Sequence, residues 1–394
     1  MIAEKRNIII VTTTRADWGI LSPLARALAL RDDVSLTIAA GNMHLLEHYG
    51  NTINEIRDDG FDNVVPLALP DNITQTPEGR TAVAASTALS LASLIERVLP
   101  DTIIILGDRY EMLGAASAAL IAGVPIVHLH GGEISVGAID DSVRHAISKM
   151  ASLHLTATDK ASERLRQMGE EPERICRTGS IGVENAISTP LMSLGELKSS
   201  LDGFDVCPEK TFLVTFHPVT RHPDNIPAIV QIDNLLGALE DVKECNAIIT
   251  FPNNDTGSET IIERIEDFAR KNPRRIKVVK SLGRLRYLSA MHHVRAVVGN
   301  TSSGILEAPS TPAATLDIGP RQLGRDRATS VIHVGDDRKE IALALKKLLT
   351  APRRTPNPSD NPYYRPGAVK LAVDAIIDTL PQLPKVKIFK DIHD

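Results

Sequence analysis

Short apolar runs of four to seven residues recur along the whole chain, separated by longer stretches with helical spacing. Such alternation argues for βαβ units and a parallel sheet, since parallel strands need long crossovers and those crossovers are usually helices. In the first half the strand candidates are residues 8–11, 34–39, 103–106, 126–129 and 153–157, with helices over 23–30, 77–98, 109–122 and 140–149. Between about 188 and 208 the pattern weakens into Ser, Gly, Pro and Lys, which reads as a linker. A second series follows, with strands over 211–216, 247–251, 276–279, 296–298 and 314–318. Its helices fill 227–241, 258–271, 282–292 and 303–308, and a Pro-rich stretch, 352–366, precedes a last helix over 367–380. The expected class is α/β, with two Rossmann-like doubly wound domains over 1–190 and 205–365 and a C-terminal segment over 366–394. Ligands of such sheets bind beyond the carboxyl ends of the strands, so residues just after each strand are the functional candidates.

Composition narrows the ligand. The 394 residues carry a net charge of −5, which gives no basic footprint for nucleic acid and no field for an anionic membrane. An anionic ligand must therefore be held by a local site. Cys176, Cys207 and Cys245 are far apart and odd in number, without zinc spacing, and read as reduced thiols. The short polar start, residues 1–7, is unlike a signal peptide, and no apolar run approaches the roughly 18 residues of a membrane span. The expected location is cytoplasmic.

After the first strand come Thr12, Thr13, Thr14 and Arg15. The planar fork of Arg15 suits a diphosphate, though the hydroxyls read equally as a helix cap. His44 follows the second strand and Gly107-Asp108-Arg109-Tyr110-Glu111 the third. Asp108 fits a helix N-cap, yet an acid beside Arg109 at a strand end also fits catalysis. The richest stretch is His128-Leu129-His130-Gly131-Gly132-Glu133, followed by Asp140 and Asp141 at a helix start. Paired glycines let backbone approach a ligand closely and place His130 and Glu133 at the strand end. The two histidines flank Leu129, but without a further ligand set a metal is the weaker reading. In the second series, His217 sits at a strand tip, and the loop over 251–257 contains Asn253 and Asp255. Gly299 to Gly304 precede a helix whose N-terminus, with Ser302, Ser303 and Gly304, reads as an anion site. Glu307 lies one turn further on, where it could meet ribose hydroxyls, and Arg321 opens a basic loop.

These residues fall into blocks that resemble a known family. The blocks are Thr-Arg-Ala-Asp-Trp-Gly (14–19), Gly-Asp-Arg-Tyr-Glu (107–111), His-Gly-Gly-Glu (130–133), Asp-Asp-Ser-Val-Arg-His (140–145), Phe-His-Pro-Val-Thr (216–220), Phe-Pro-Asn-Asn-Asp-Thr-Gly (251–257), Ser-Ser-Gly-Ile-Leu-Glu-Ala-Pro (302–309) and Arg-Gln-Leu-Gly-Arg (321–325). Over nearly its whole length the chain resembles the hydrolysing UDP-N-acetylglucosamine 2-epimerases, including those acting on UDP-N,N′-diacetylbacillosamine. Non-hydrolysing relatives carry Arg-Pro-Glu after the first strand and lack His-Gly-Gly-Glu. One departure is Gly41-Asn42-Met43-His44, where relatives tend to read Gly-Met-His.

The resemblance implies a GT-B fold with the ligand in a cleft, a last helix that crosses back to the first domain, and a homodimer or homotetramer. It places catalytic acids on Asp108, Glu133 and the Asp140-Asp141 pair, and a catalytic histidine on His217. UDP contacts fall on Arg15, Ser302, Ser303, Glu307 and the Arg321 loop. His44, Arg109, His130, Asn253, Asp255 and Gly304 are further candidate substrate contacts. The implied reaction eliminates UDP to a 2-acetamidoglycal and adds water, releasing a manno-configured sugar without metal or nicotinamide. UDP-N-acetylglucosamine would lead toward sialic acid, and the bacillosamine sugar toward legionaminic acid. A non-hydrolysing epimerase and a GT-B glycosyltransferase are the alternatives.

Overall fold

A computed structural model describes residues 5–47, 50–71, 73–74, 76–136, 139–220, 222–253, 256–384 and 387–391. It divides into two compact units. The first comprises Met1–Glu133, Asp140–Asn185 and Tyr363–Asp394, the second Ile134–Ile139 and Ala186–Pro362.

The first unit is built on seven parallel strands: β1 (Arg6–Thr12), β2 (Val34–Ala40), β3 (Val64–Pro66), β4 (Thr102–Leu106), β5 (Ile126–Leu129), β6 (Leu153–Thr156) and β7 (Ile175–Arg177). Their order is β3-β2-β1-β4-β5-β6-β7. The direction of winding reverses between β1 and β4, so the loops after these two strands flank the switch point where such sheets take ligands. Its helices are α1 (Arg15–Ala29), α2 (Ile53–Asp58), α3 (Pro77–Val98), α4 (Tyr110–Ile121), α5 (Asp140–Met150) and α6 (Asp159–Gln167), and α7 (Ile181–Ser188) leads out of it. Side chains alternate across β1: Ile8 and Ile10 join Leu21, Leu24 and Leu28 of α1 in one core, while Ile9 and Val11 join Leu91 and Met112 in the other. Both faces are covered, which is why the strand reads as an unbroken apolar run.

The second unit has six parallel strands: β8 (Thr211–Thr215), β9 (Asn246–Thr250), β10 (Ile276–Val279), β11 (Ala296–Gly299), β12 (Ala314–Ile318) and β13 (Val331–Val334). The order β10-β9-β8-β11-β12-β13 puts its switch point between β8 and β11. Helices α8 (Leu194–Ser199), α9 (Ala228–Asp241), α10 (Ser258–Lys271), α11 (Gly283–His293), α12 (Ser302–Leu306) and α13 (Arg338–Thr350) complete it. The chain then returns: α14 (Ala368–Thr379) sets Ala368, Ala372 and Ile376 into the α1 core of the first unit. The Glu184 carboxylate caps its start, accepting from the backbone N–H of Gly367 at 2.7 Å and Val369 at 2.8 Å.

Two expectations need correction. Helix α1 begins at Arg15, not near Pro23, because Thr14 and Asp17 form a reciprocal capping box and Pro23 is accommodated inside the helix. The stretch read as a linker contains α8, capped by Ser193 and Glu196, with Leu197, Leu201 and Val206 buried in a core beside Leu213 and Ile248.

Candidate active site

The loop after β4 carries Asp108. Helix α4 starts at Tyr110 with Arg109 in the cap position and no side-chain cap, so capping does not explain Asp108. Its carboxylate is ion-paired with Arg144 of α5, a side chain only 1% exposed. The same guanidinium donates to the Glu133 carbonyl at 2.8 Å and lies 3.8 Å from the Asp141 carboxylate. One buried arginine thus joins the two loops that carry Asp108 and Glu133, with Asp141 one turn back on its own helix, and its planar fork suits serving several acceptors together. Asp140 is the first residue of α5 and Asp141 the second, where the helix dipole favours acids.

At the end of β5 the two histidines diverge. His128 is fully buried; its Nε2 donates to the Gly107 carbonyl at 2.7 Å and its Nδ1 accepts from Ser148 at 3.1 Å. Burial pushes its pKa down to about 3, so it is a neutral strut under the Asp108 loop. His130 turns to the Glu133 carboxylate at 2.6 Å and holds a left-handed backbone, φ 62°, unusual away from glycine. The glycines that follow are required by close approach. A Cβ at Gly131 would meet His128 Nδ1 and Ser148 Oγ at 2.9 Å, and one at Gly132 would meet the Ala161 carbonyl at 2.2 Å. The two rings of the His-x-His spacing thus serve different partners.

Arg109 pairs with Glu111 at 3.0 Å, and Glu111 is fully buried and also bonded by Asn42. Asn42, with φ 43°, reaches across the end of β1 from the loop after β2, so the longer loop has a definite task. Asp17 shares this neighbourhood; burial raises its pKa, opposed by Arg109 and by the hydroxyls of Thr13 and Thr14. Burial likewise lifts Tyr110 to about 12. His44, expected as a substrate contact, is fully buried, with Thr12 Oγ1 at 3.0 Å and Thr52 Oγ1 at 2.7 Å on its two ring nitrogens. Both nitrogens are therefore committed to the protein. Desolvation, with Arg15 nearby, lowers its pKa to about 3. Arg15 itself sits at the first turn of α1 and pairs with Glu55 at 2.7 Å.

In the second unit His217 follows β8. Its Nδ1 accepts the Asn253 backbone N–H at 3.1 Å, which leaves the proton of the neutral ring on Nε2. Fully buried Asn300 brackets its backbone, accepting from the His217 N–H at 2.7 Å and donating to its carbonyl at 2.8 Å. The Asn300 carbonyl in turn accepts from Arg321 at 3.1 Å and Gln322 at 2.8 Å, which ties the basic loop to the loop after β11. Helix α12 spans five residues, with Ser302 and Ser303 in its first turn, Gly304 packed on Thr315, and Glu307 at its end. So short a helix has little dipole, and the hydroxyls matter more than the sequence suggested. Asp255 lies outside the described residues. Glu111 was expected as part of the Asp-Arg-x-Glu cluster, whereas Arg144, Asn42, Asn300 and Tyr287 were not singled out from sequence; the Asp141-to-Arg144 spacing was the local hint for Arg144.

The family described as UDP-N-acetylglucosamine 2-epimerase matches residues 26–377. The chain is 33% identical to the Escherichia coli polysialic acid biosynthesis protein P7, over 99% of this chain and 97% of that protein. It is 35% identical to the Campylobacter jejuni GDP/UDP-N,N′-diacetylbacillosamine 2-epimerase (hydrolyzing), over 84% of each. The solved UDP-GlcNAc 2-epimerase from Neisseria meningitidis, bound to UDP-GlcNAc, superposes with a TM-score of 0.78 at 14% identity, covering 94% of this chain and 100% of that one. That likeness establishes the fold, two Rossmann-like domains of the GT-B class. With most of its length matched and its motifs in place, the chain belongs to the UDP-N-acetylglucosamine 2-epimerase family.

Proposed function

We propose that this enzyme is a hydrolysing 2-epimerase that converts a UDP-N-acetylamino sugar and water to UDP and the free manno-configured sugar. The carrying observation is the pair of carboxylate loops, Asp108 and Glu133, organised by buried Arg144. The C2 proton of the sugar is weakly acidic because no carbonyl adjoins C2. As the C1–O bond to UDP breaks, C1 gains oxocarbenium character and the C2–H bond is acidified. A carboxylate takes that proton, and the electron pair of the C–H bond forms the C1–C2 double bond of a 2-acetamidoglycal. Water then adds its oxygen to C1 and gives up a proton to a carboxylate, and a second acid delivers a proton to the opposite face of C2, using the electron pair of the C1–C2 double bond. Asp108, Glu133 and Asp140 or Asp141 supply these acids and bases.

His217, with its proton on Nε2, suits a donor to the departing phosphate. Arg15, Asn253, Ser302, Ser303, Gly304, Glu307 and Arg321 are the proposed contacts to UDP, with Arg109 and His130 toward the sugar. The names of the bacillosamine and polysialic acid relatives support two substrates, UDP-N-acetylglucosamine and UDP-N,N′-diacetylbacillosamine, and hence a role in sialic or legionaminic acid biosynthesis. We assign the enzyme to the cytoplasm as a homodimer or homotetramer. Among the described residues no helix is long and apolar enough to cross a membrane.

The test is turnover of both UDP-sugars in heavy water enriched in labelled oxygen. Deuterium at C2 and solvent oxygen at C1 of a free manno sugar are expected. Recovery of an intact UDP-sugar would identify a non-hydrolysing epimerase, and transfer to an acceptor with the C2 proton retained would identify a glycosyltransferase.

A further inference from the structure

Ser303 is the end of a line of hydroxyls. Its Oγ lies 2.6 Å from the phenol oxygen of Tyr287 on α11 and 3.2 Å from Thr301 Oγ1. The hydroxyls of Thr215 and Thr301 also lie close enough to the phenol to act on it electrostatically. Thr215 Oγ1 is in turn 2.6 Å from Thr250 Oγ1. Thr250 and Thr215 are the last residues of β9 and β8, and they face each other in register. The hydroxyls of Thr250, Thr215, Tyr287 and Ser303 therefore run along the carboxyl ends of the strands to the first turn of α12.

Each hydroxyl has a single proton to give. Ser303 can spend its proton on Thr301, on Tyr287 or on a ligand, and the choice depends on what Tyr287 does. If Tyr287 donates to Ser303 Oγ, the Ser303 proton is released for a third partner. An anion at that point orients every proton in the line toward itself, and each bond polarises the next. Burial raises the pKa of the Tyr287 phenol, which keeps it a neutral donor.

We propose that Tyr287 is a positioning residue for the diphosphate, donating to Ser303 Oγ so that the Ser303 proton points at a phosphoryl oxygen. This rests on the reading that Ser303 meets the diphosphate. It needs no contribution from the five-residue helix α12.

The experiment measures the affinities of UDP and of uridine, which has no phosphate, by calorimetric titration of the full chain. Tyr287→Phe keeps the ring and removes only the hydroxyl. It is expected to weaken UDP about tenfold, the size of a hydrogen bond to a charged group, and to leave uridine unchanged. Ser303→Ala should show a similar loss, and the double variant no more than the larger single loss. Thr215→Val, one link further back, should weaken UDP about twofold. Equal weakening of UDP and uridine by Tyr287→Phe would mean that Tyr287 merely packs, and the inference falls. A normal UDP affinity in Tyr287→Phe beside a weakened Ser303→Ala overturns it equally. A normal UDP affinity in Ser303→Ala instead removes the assignment of Ser303 to the diphosphate, and Tyr287 loses its task with it.

Discussion

The two units solve different electrostatic problems with the same sheet. In the first, the loops at the switch point are crowded with charge: Asp108 with Arg144, Glu111 with Arg109, Glu133 with His130. In the second, the loops after β8 and β11 are held mostly by neutral groups, Asn300, the Tyr287 phenol and the hydroxyls of Ser303, Thr215 and Thr250, with Arg321 added on the Asn300 carbonyl. Proton transfer needs groups that change charge, and each must be compensated while buried. Holding an anion that is already charged needs only oriented donors, which cost little to desolvate when they satisfy one another. Under the proposed function, the contrast sets the carboxylates that move protons in the first unit and most of the proposed UDP contacts in the second.

The largest effect expected is on turnover. Glu133→Gln should cut the rate by about 10²–10⁴-fold, the range for a lost general acid or base, with UDP affinity unchanged by titration. Full activity in that variant would break the assignment of chemistry to the first unit. Arg144→Met should abolish activity and also cost about 3 kcal/mol by denaturant unfolding, because Asp108 keeps its charge without its partner. Arg144→Lys, which retains charge but not the fork, should fall between. In the second unit Asn300→Asp places a charge against the His217 carbonyl. It should destabilise by about 2 kcal/mol and weaken UDP, while leaving solvent exchange at C2 possible. If the variant is as stable as the parent, that loop is not the neutral bracket described.

Acid sharpens the comparison more gently. His44 and His128 have folded pKa values near 3, against 6.5 when unfolded. The unfolded chain therefore binds more protons between those values. Their stabilising contribution is complete above about 6.5 and is lost as the pH falls toward 3. Both lie in the first unit, so hydrogen exchange at about pH 4.5 should open peptides from β1 and β5 before those from β8 and β11. The reverse order would show that burial of these rings does not govern acid stability.

How much of this was legible in the sequence differs by scale. The span of α3, Pro77–Val98, was read to the residue, because Thr76 and Pro77 mark its start and twenty-two residues hold the pattern. The central strands were placed within one or two residues at either end. The missed strands β3, β7 and β13 are three to four residues long and lie at sheet edges, where partial exposure removes the continuous apolar run. At the candidate site, Asp108 and Glu133 were singled out because each follows a strand end, where such sheets take ligands. Arg144 was not, because Asp108 lies far away in sequence and its spacing from Asp141 fits a solvated helix pair as well as a buried one. His44 was misjudged for the same reason in reverse: a histidine at a strand end faced inward to two threonines.

The return of α14 has a consequence for how the protein is made. The core beneath α1 is completed by Ala368, Ala372 and Ile376, which are synthesised after the whole of the second unit. The usual order of synthesis, in which the N-terminal part folds first, is therefore inverted. The sheet of the second unit is fully synthesised while the first still lacks a wall of its core, so a nascent chain halted before residue 368 should hold a finished second unit and an unfinished first.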